Sequence, residues 1–564
     1  MRSLSQIAAV FLPLLIFFFP GCSGGPADPA APELKRRLVE RSALIHTTDT
    51  ICSRDILRAF YERRSFAPLW SDDQRISALA ESLRTLLAMA SVEGLAPRDY
   101  HVDAFGVLLE KIATAHSEKS GAGASVRAEL DLLLSDAFLL YACHLSEGKV
   151  ARDSLRPRRS VVSHGDRYVT ILNESVSGGD VAHKLRALAP SHTYYRALRS
   201  LLASYRSQEK NDRWTRVPAG SPMVAGERGK RVFLLRSRLL ELGDLHPRIG
   251  SLRDDFDSTL VDAVRVFQRR HGLGVSGVAD SATVDALNVS PSKRVEQVLV
   301  TMERWRWLPR QLGMNHVLVN IPDFRLTAVE DDRVVLSMKV ILGLPAWQTP
   351  VFSSAIEQVL FNSPWMAPRD IVEKELINYM KADTNYLPSN MMSLWKRVGD
   401  SLVRIEHRSI NWPEMTPEKI DFYLRQEGGP QNIMGQVKFL TPNSYSVYLH
   451  ETPYRDDFVK DVRMFSHGCI RLEKPFEFAE LVLKKSPEWT RARIDTVIAR
   501  RAEHTIRLKT VLPVHIVYAT VWRDQDGSVQ IRPDYYGLDR KLAAALLRGP
   551  VERSGSTEGS ISAR

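Results

Sequence analysis

A single change of period divides this chain. From about residue 42 to residue 290, apolar side chains recur at three- and four-residue intervals. Arg54–Tyr61, Ile76–Ala90, Ala128–Leu145, Thr193–Tyr205, Val232–Leu242, Ser258–His271 and Ser281–Leu287 all have this spacing, that of helices with one buried face. From about residue 315 the pattern alternates or runs apolar and β-branched. Asn315–Ile321, Arg325–Val329, Val334–Leu342, Ile356–Asn362, Gln436–Phe439 and Tyr445–Leu449 predict strands. At 564 residues the chain is too long for one hydrophobic core. The pattern therefore predicts a multidomain α+β protein: a helical N-terminal scaffold over 42–210, a compact three-helix unit over 230–290 and a β-rich domain over 315–535. A polar stretch rich in Pro and Gly near 210–229 separates the first two. Residues 370–426 interrupt the strands with a helical run (DIVEKELINYM) and then polar sequence, which predicts a helical lid insertion over a cleft. Pro513–Trp522 and Ser528–Arg532 predict a terminal hairpin around Asp526-Gly527.

The N-terminus predicts export. Arg2 precedes an apolar run, Ile7–Phe19, followed by Pro20-Gly21-Cys22-Ser23. That is the order of a secretory signal peptide over residues 1–22, and the run is shorter than the ~20 residues a membrane-spanning helix needs. A periplasmic location follows. The Gly21-Cys22 step is similar to a lipoprotein processing site, making Cys22 a candidate lipid anchor; an ordinary cleaved signal peptide is the alternative. Residues 23–41 read as a Pro-rich tether and 550–564 as a disordered tail. The formal charge of +11 suits an anionic partner. No basic run with interleaved aromatics points to nucleic acid. Of four cysteines, Cys52 and Cys143 could pair in an oxidising compartment or stay as separate buried thiols.

Cys469 has different surroundings, in Ser466-His467-Gly468-Cys469-Ile470-Arg471. Cationic neighbours favour the thiolate, and glycine lets a carbonyl approach the backbone. The N–H groups of Gly468 and Cys469 could converge on an oxyanion. Nineteen residues upstream, His450 leaves an apolar strand, where it could take the thiol proton and return it to a leaving amine. A zinc site from His450, His467 and Cys469 fits no common ligand spacing, and a redox thiol lacks a nearby resolving cysteine.

His450 followed by SHGCIR resembles the signature of the L,D-transpeptidase (YkuD-type) catalytic domain. The stretches NIPDFRLTAVEDDRVVLSMKVILG, QTPVFSSAIEQVLFNSPWMAP and RQEGGPQNIMGQVKFLTPNSYSVYLHETP extend the likeness. LRSRLLELGDL, AVRVFQRRHGL and SGVADSATVDALN resemble the peptidoglycan-binding domain type 1 family, with Phe267-Gln268 and Gly277…Asp280…Thr283…Leu287 at its spacing. With the helical scaffold and the insertion, the whole resembles the large multidomain YcbB-type branch. The resemblance implies Cys469 as nucleophile and His450 as base, with Gly468 and His467 among the oxyanion donors. Tyr448 and Trp365 would line the donor groove, and Ser466 and Arg471 would hold the loop's shape beside it. It implies a cysteine acyltransferase that forms 3→3 cross-links between stem peptides, releases D-alanine and is trapped by carbapenems. Its partners would be peptidoglycan stem peptides and glycan, with other cell-wall synthesis proteins. Thiolate, imidazole and backbone dipoles cover each step, so neither metal nor organic cofactor is called for. A hydrolase of the same bond, or a non-catalytic wall-binding protein, stays open.

Overall fold

The computed structural model describes residues 28–547, apart from 41–43, 45, 48, 73–74, 118–121, 154, 156–157, 159–164, 211–213 and 248–252. The expected signal peptide, the candidate anchor Cys22 and the expected tail 550–564 lie outside the described residues. Two compact units divide the chain, one from residues up to 87 with 100–140 and 160–181, the other from 88–99, 141–159 and 182 onward.

The first unit is helical. Part of the expected tether is a helix, Ala30–Val39, because Ala30, Leu34 and Leu38 fall on one face and are buried. The Phe66–Trp70 corner is fixed by buried Asp131. Its carboxylate accepts from the Leu69 and Trp70 N–H groups at 2.9 and 2.8 Å and from the Tyr61 hydroxyl at 2.5 Å. His101 is held between two carboxylates, Nδ1 at 2.6 Å from Asp49 and Nε2 at 3.0 Å from Asp136. Burial opposes its charge, but the hydrogen bonds to Asp136 and Asp49 prevail and push its pKa up to about 9. Folded His101 thus holds a proton that the unfolded side chain releases near 6.5. Its stabilisation is complete below about pH 6.5 and lost as pH rises through about 9. His101→Ala is expected to cost about 3 kcal/mol at neutral pH, because buried Asp136 loses its cation and keeps, among the described residues, only the Cys52 and Ser53 N–H groups. It should also flatten the alkaline loss in denaturant titrations; an unchanged slope would assign that loss to other groups.

In the second unit, helices Lys230–Leu242, Ser258–Arg270 and Ser281–Leu287 enclose a core that includes Leu235, Leu239, Leu260, Val264, Phe267 and Leu287. Asp257 and Asp280 cap the second and third helices through the Leu260 and Thr283 N–H groups, at 2.9 and 2.8 Å. Buried Gln268 staples the intervening turn: its Nε2 donates to the Val278 carbonyl at 2.8 Å and its Oε1 accepts from Gly277 N–H at 2.9 Å. The Phe-Gln pair therefore builds this unit.

The β-rich region is one nine-stranded sheet that curls on itself. Strand Arg325–Glu330 pairs with both His316–Asn320 and Arg333–Gly343, which closes the ring. The remaining strands are Phe352–Phe361, Val437–Leu440, Leu449–His450, Met464–Ser466, Ile470–Leu472 and His504–Val517. Val317, Leu326, Val340, Val359, Phe439, Leu449, Ile470 and Ile516 share its core. The expected strand Tyr445–Leu449 is shorter, because Asn443 folds the chain into a turn by accepting from the Tyr445 and Val447 N–H groups. The expected terminal hairpin begins later: Val521–Arg523 pairs with Val529–Ile531, while residues 513–517 belong to the main sheet.

The insertion holds more than a helix. Trp365–Met366, Tyr423–Gln426, Met392–Val398 and Ser401–Ile405 form a four-stranded antiparallel sheet. Leu376, Ile377, Met380, Leu394, Trp412 and Leu424 give it its own core. Hence it starts at Trp365, which is half-buried against that core. Its first helix carries a π-helical segment, Val372–Leu376.

Candidate active site

Alternation along three neighbouring strands sets the site. Leu449, Ile470, Leu472, Val437 and Phe439 point into the core, so the residues between them share the opposite face. His450 lies opposite Lys438 on one side and opposite Arg471 on the other. The same register brings Cys469 level with Tyr448, whose carbonyl accepts the Ile470 N–H at 2.9 Å. Cys469 is thus a diagonal neighbour of His450, within reach of an imidazole.

His450 is buried, and its Nδ1 lies 2.5 Å from the Glu451 carbonyl. A carbonyl only accepts, so Nδ1 carries the hydrogen and Nε2 the lone pair. Burial, then the Arg471 charge, lowers the His450 pKa to about 3, so the ring is neutral at physiological pH. Burial raises the Cys469 pKa, and the charges of Lys438 and Arg471 oppose that rise. The half-buried thiol lies 3.9 Å from the Ser446 carbonyl, and no hydrogen bond joins it to the imidazole among the described residues. The resting pair is a thiol beside a neutral base.

The turn that carries Cys469 is held from beneath. Ser466 Oγ donates to the Cys469 carbonyl at 2.6 Å and accepts from the Gly468 N–H at 3.1 Å. The Gly468 N–H, expected among the oxyanion donors, is thus engaged within the turn. The N–H groups of His467 and Cys469 meet no acceptor among the described residues, which leaves these two as candidate oxyanion donors. Gly468 has φ +109°, a conformation L side chains rarely adopt. Buried Thr349 braces the turn, donating to the Gly468 carbonyl and accepting from Gly343 N–H, both at 2.9 Å. A Cβ at Gly343 would lie 1.9 Å from the Trp347 carbonyl, so only glycine fits there. Thr349→Val keeps the shape but removes both bonds. We expect it to cost about 2 kcal/mol of stability and about tenfold in acylation rate, read by thermal melting and intact-protein mass spectrometry.

The insertion reaches this loop. His467 Nε2 is 2.6 Å from Glu375 Oε1, within the π-helical segment. Trp347 meets the His467 ring edge-on at 5.3 Å, and Lys374 Nζ lies 4.6 Å over the Trp347 ring. Tyr448 is half-buried beside the nucleophile, with Lys438 Nζ 3.8 Å over its ring. Arg471 is buried, with its guanidinium 5.5 Å over the Tyr454 ring. Sequence reasoning did not single out Thr349, Lys438 or Glu375, although all three lie within stretches quoted above; for Lys438, a lone charge in an apolar strand was the available signal.

Residues 314–498 match the family described as "L,D-transpeptidase catalytic domain", and 228–287 match "Putative peptidoglycan binding domain". This chain carries an L,D-transpeptidase catalytic domain and a peptidoglycan-binding domain. Residues 55–202 match a "Scaffold domain". A Haemophilus influenzae protein named "Putative L,D-transpeptidase" is 34% identical over 254 residues, 45% of this chain and 50% of that protein, so the match spans half the relative's length. Solved L,D-transpeptidases from Xylanimonas cellulosilytica and Stackebrandtia nassauensis are 14% and 12% identical. They cover 53% and 54% of this chain, and 99% and 96% of their own, at TM-scores of 0.16 and 0.20.

Proposed function

We propose that this protein is an exported peptidoglycan L,D-transpeptidase of the large YcbB-type branch, forming 3→3 cross-links between stem peptides. What carries this reading is the placement of Cys469, on a braced turn, diagonal to a neutral His450 whose Nδ1 hydrogen is fixed by the Glu451 carbonyl. His450 Nε2 takes the thiol proton as Sγ attacks the carbonyl of the third residue of a tetrapeptide stem. The His467 and Cys469 N–H groups stabilise the oxyanion. The intermediate collapses to a thioester as His450 protonates the departing D-alanine amine. The side-chain amine of another stem's third residue then attacks the thioester, restoring the thiol. Lid residues Glu375 and Lys374 at the nucleophile loop favour transfer over hydrolysis, since a covered thioester meets less water. A carbapenem would be held as the corresponding Cys469 acyl-enzyme. The N-terminal pattern supports a periplasmic location, with Cys22 as a candidate lipid anchor.

The test is mass spectrometry of the purified protein incubated with a disaccharide-tetrapeptide. A dimer that has lost one D-alanine supports the reading. Tripeptide without dimer would replace it with a hydrolase, and unchanged substrate would count against both.

A further inference from the structure

The active-site face carries two cations and no paired anion. Lys438 and Arg471 flank His450 in register, and neither forms an ion pair among the described residues. Arg471 is buried against the Tyr454 ring. Lys438 is half-buried, with its ammonium 3.8 Å over the Tyr448 ring, and no hydrogen-bond acceptor meets it among the described residues. An ammonium held partly out of water with its donors unfilled is costly unless something anionic completes it. Tyr448 and Cys469 share one level of the sheet, Lys438 and His450 the next, so the ammonium leans across Tyr448 toward the nucleophile's level.

His450 fixes which part of a substrate this cation would meet. In the proposed reaction the imidazole must reach the leaving nitrogen, which places the leaving residue on the His450 side of the thiol. In a C-terminal amino acid the α-carboxylate is two bonds from that nitrogen, a separation smaller than the ~4.8 Å between adjacent strands. Lys438 occupies the adjacent strand. The geometry points to Lys438 as the group that binds the free α-carboxylate of the departing C-terminal residue, confining the enzyme to donors with a single residue beyond the scissile bond. This rests on the transpeptidase reading and adds to it a residue for donor selection: a donor extended by one more residue buries an amide where the carboxylate belongs.

The test compares the disaccharide-tetrapeptide free acid with its C-terminal primary amide as acyl donors, scoring thioester formation on the full chain. Wild type is expected to acylate about 30- to 100-fold faster with the acid. Lys438→Met should lose that factor in the ratio of acid to amide, and any loss shared by both donors and by neutral iodoacetamide at Cys469 reads the ammonium's separate effect on the thiol. Lys438→Arg should recover most of the acid preference, which a merely misfolded Met variant could not explain. Equal acylation of wild type by acid and amide would overturn the proposal. So would an equal loss on both donors in Lys438→Met, because the charge would then act on the thiol. Failure of wild type to form a thioester with either donor would instead sink the transpeptidase reading and this proposal with it.

Discussion

Cys469→Ala is expected to lower acylation by a tetrapeptide donor by at least about 10⁴-fold, to background, with little change in melting temperature. The thiol is half-buried at the end of a braced turn, 3.9 Å from the Ser446 carbonyl and hydrogen-bonded to the Tyr448 backbone, so its removal leaves no buried charge unpaired. The turn itself hangs on Ser466 and Thr349, which the variant keeps. Cys469→Ser should be nearly as inert. A hydroxyl is a far weaker acid than a thiol, and a histidine held near pKa 3 is a poor base for it. Intact-protein mass spectrometry with the donor reads both variants. A covalent adduct on Cys469→Ala would place the nucleophile elsewhere.

What the sequence made legible was whatever local chemistry dictates. The helices of the 230–290 unit follow from capping Asp257 and Asp280 and from apolar spacing, and the structure keeps them nearly residue for residue. The step from period three or four to period two marks where the sheet begins, at His316. What stayed hidden depends on pairing between distant segments. The long strand His504–Val517 carries Lys and Arg on its outward face, so its alternation reads as polar until Phe352–Phe361 is set beside it. The lid's four-stranded sheet pairs Trp365 with Gln426 across sixty residues, which no local pattern announces. In the site, Cys469 and His450 sit in a motif, whereas Thr349 and Lys438 gain their places only from closure of the sheet. The Gly468 N–H depends on the folded turn in the same way, since it donates to the Ser466 hydroxyl two residues back.

His450→Ala should lower acylation by about 10²- to 10⁴-fold, the usual worth of a positioned general base, and the shape of the pH profile tests why. The unfolded histidine takes a proton near 6.5, and the folded one resists until about 3. Folding stability should therefore fall as the solution is acidified from about 6.5 toward 3, because only the unfolded chain gains that proton. In the same range the base remains unprotonated and competent. Acylation efficiency, kcat/KM for thioester formation, should accordingly show no loss centred near 6.5, and any acid limb should follow unfolding. The thiol, raised by burial, should stay protonated at neutral pH until His450 takes its proton in the reacting complex. Ultraviolet thiolate absorbance, wild type minus Cys469→Ala, should then be absent at pH 7 and grow in only under alkaline conditions. A thiolate signal already complete at pH 7 would mean a preformed thiolate–imidazolium pair and a charged His450, against the environment that Arg471 and burial create around it.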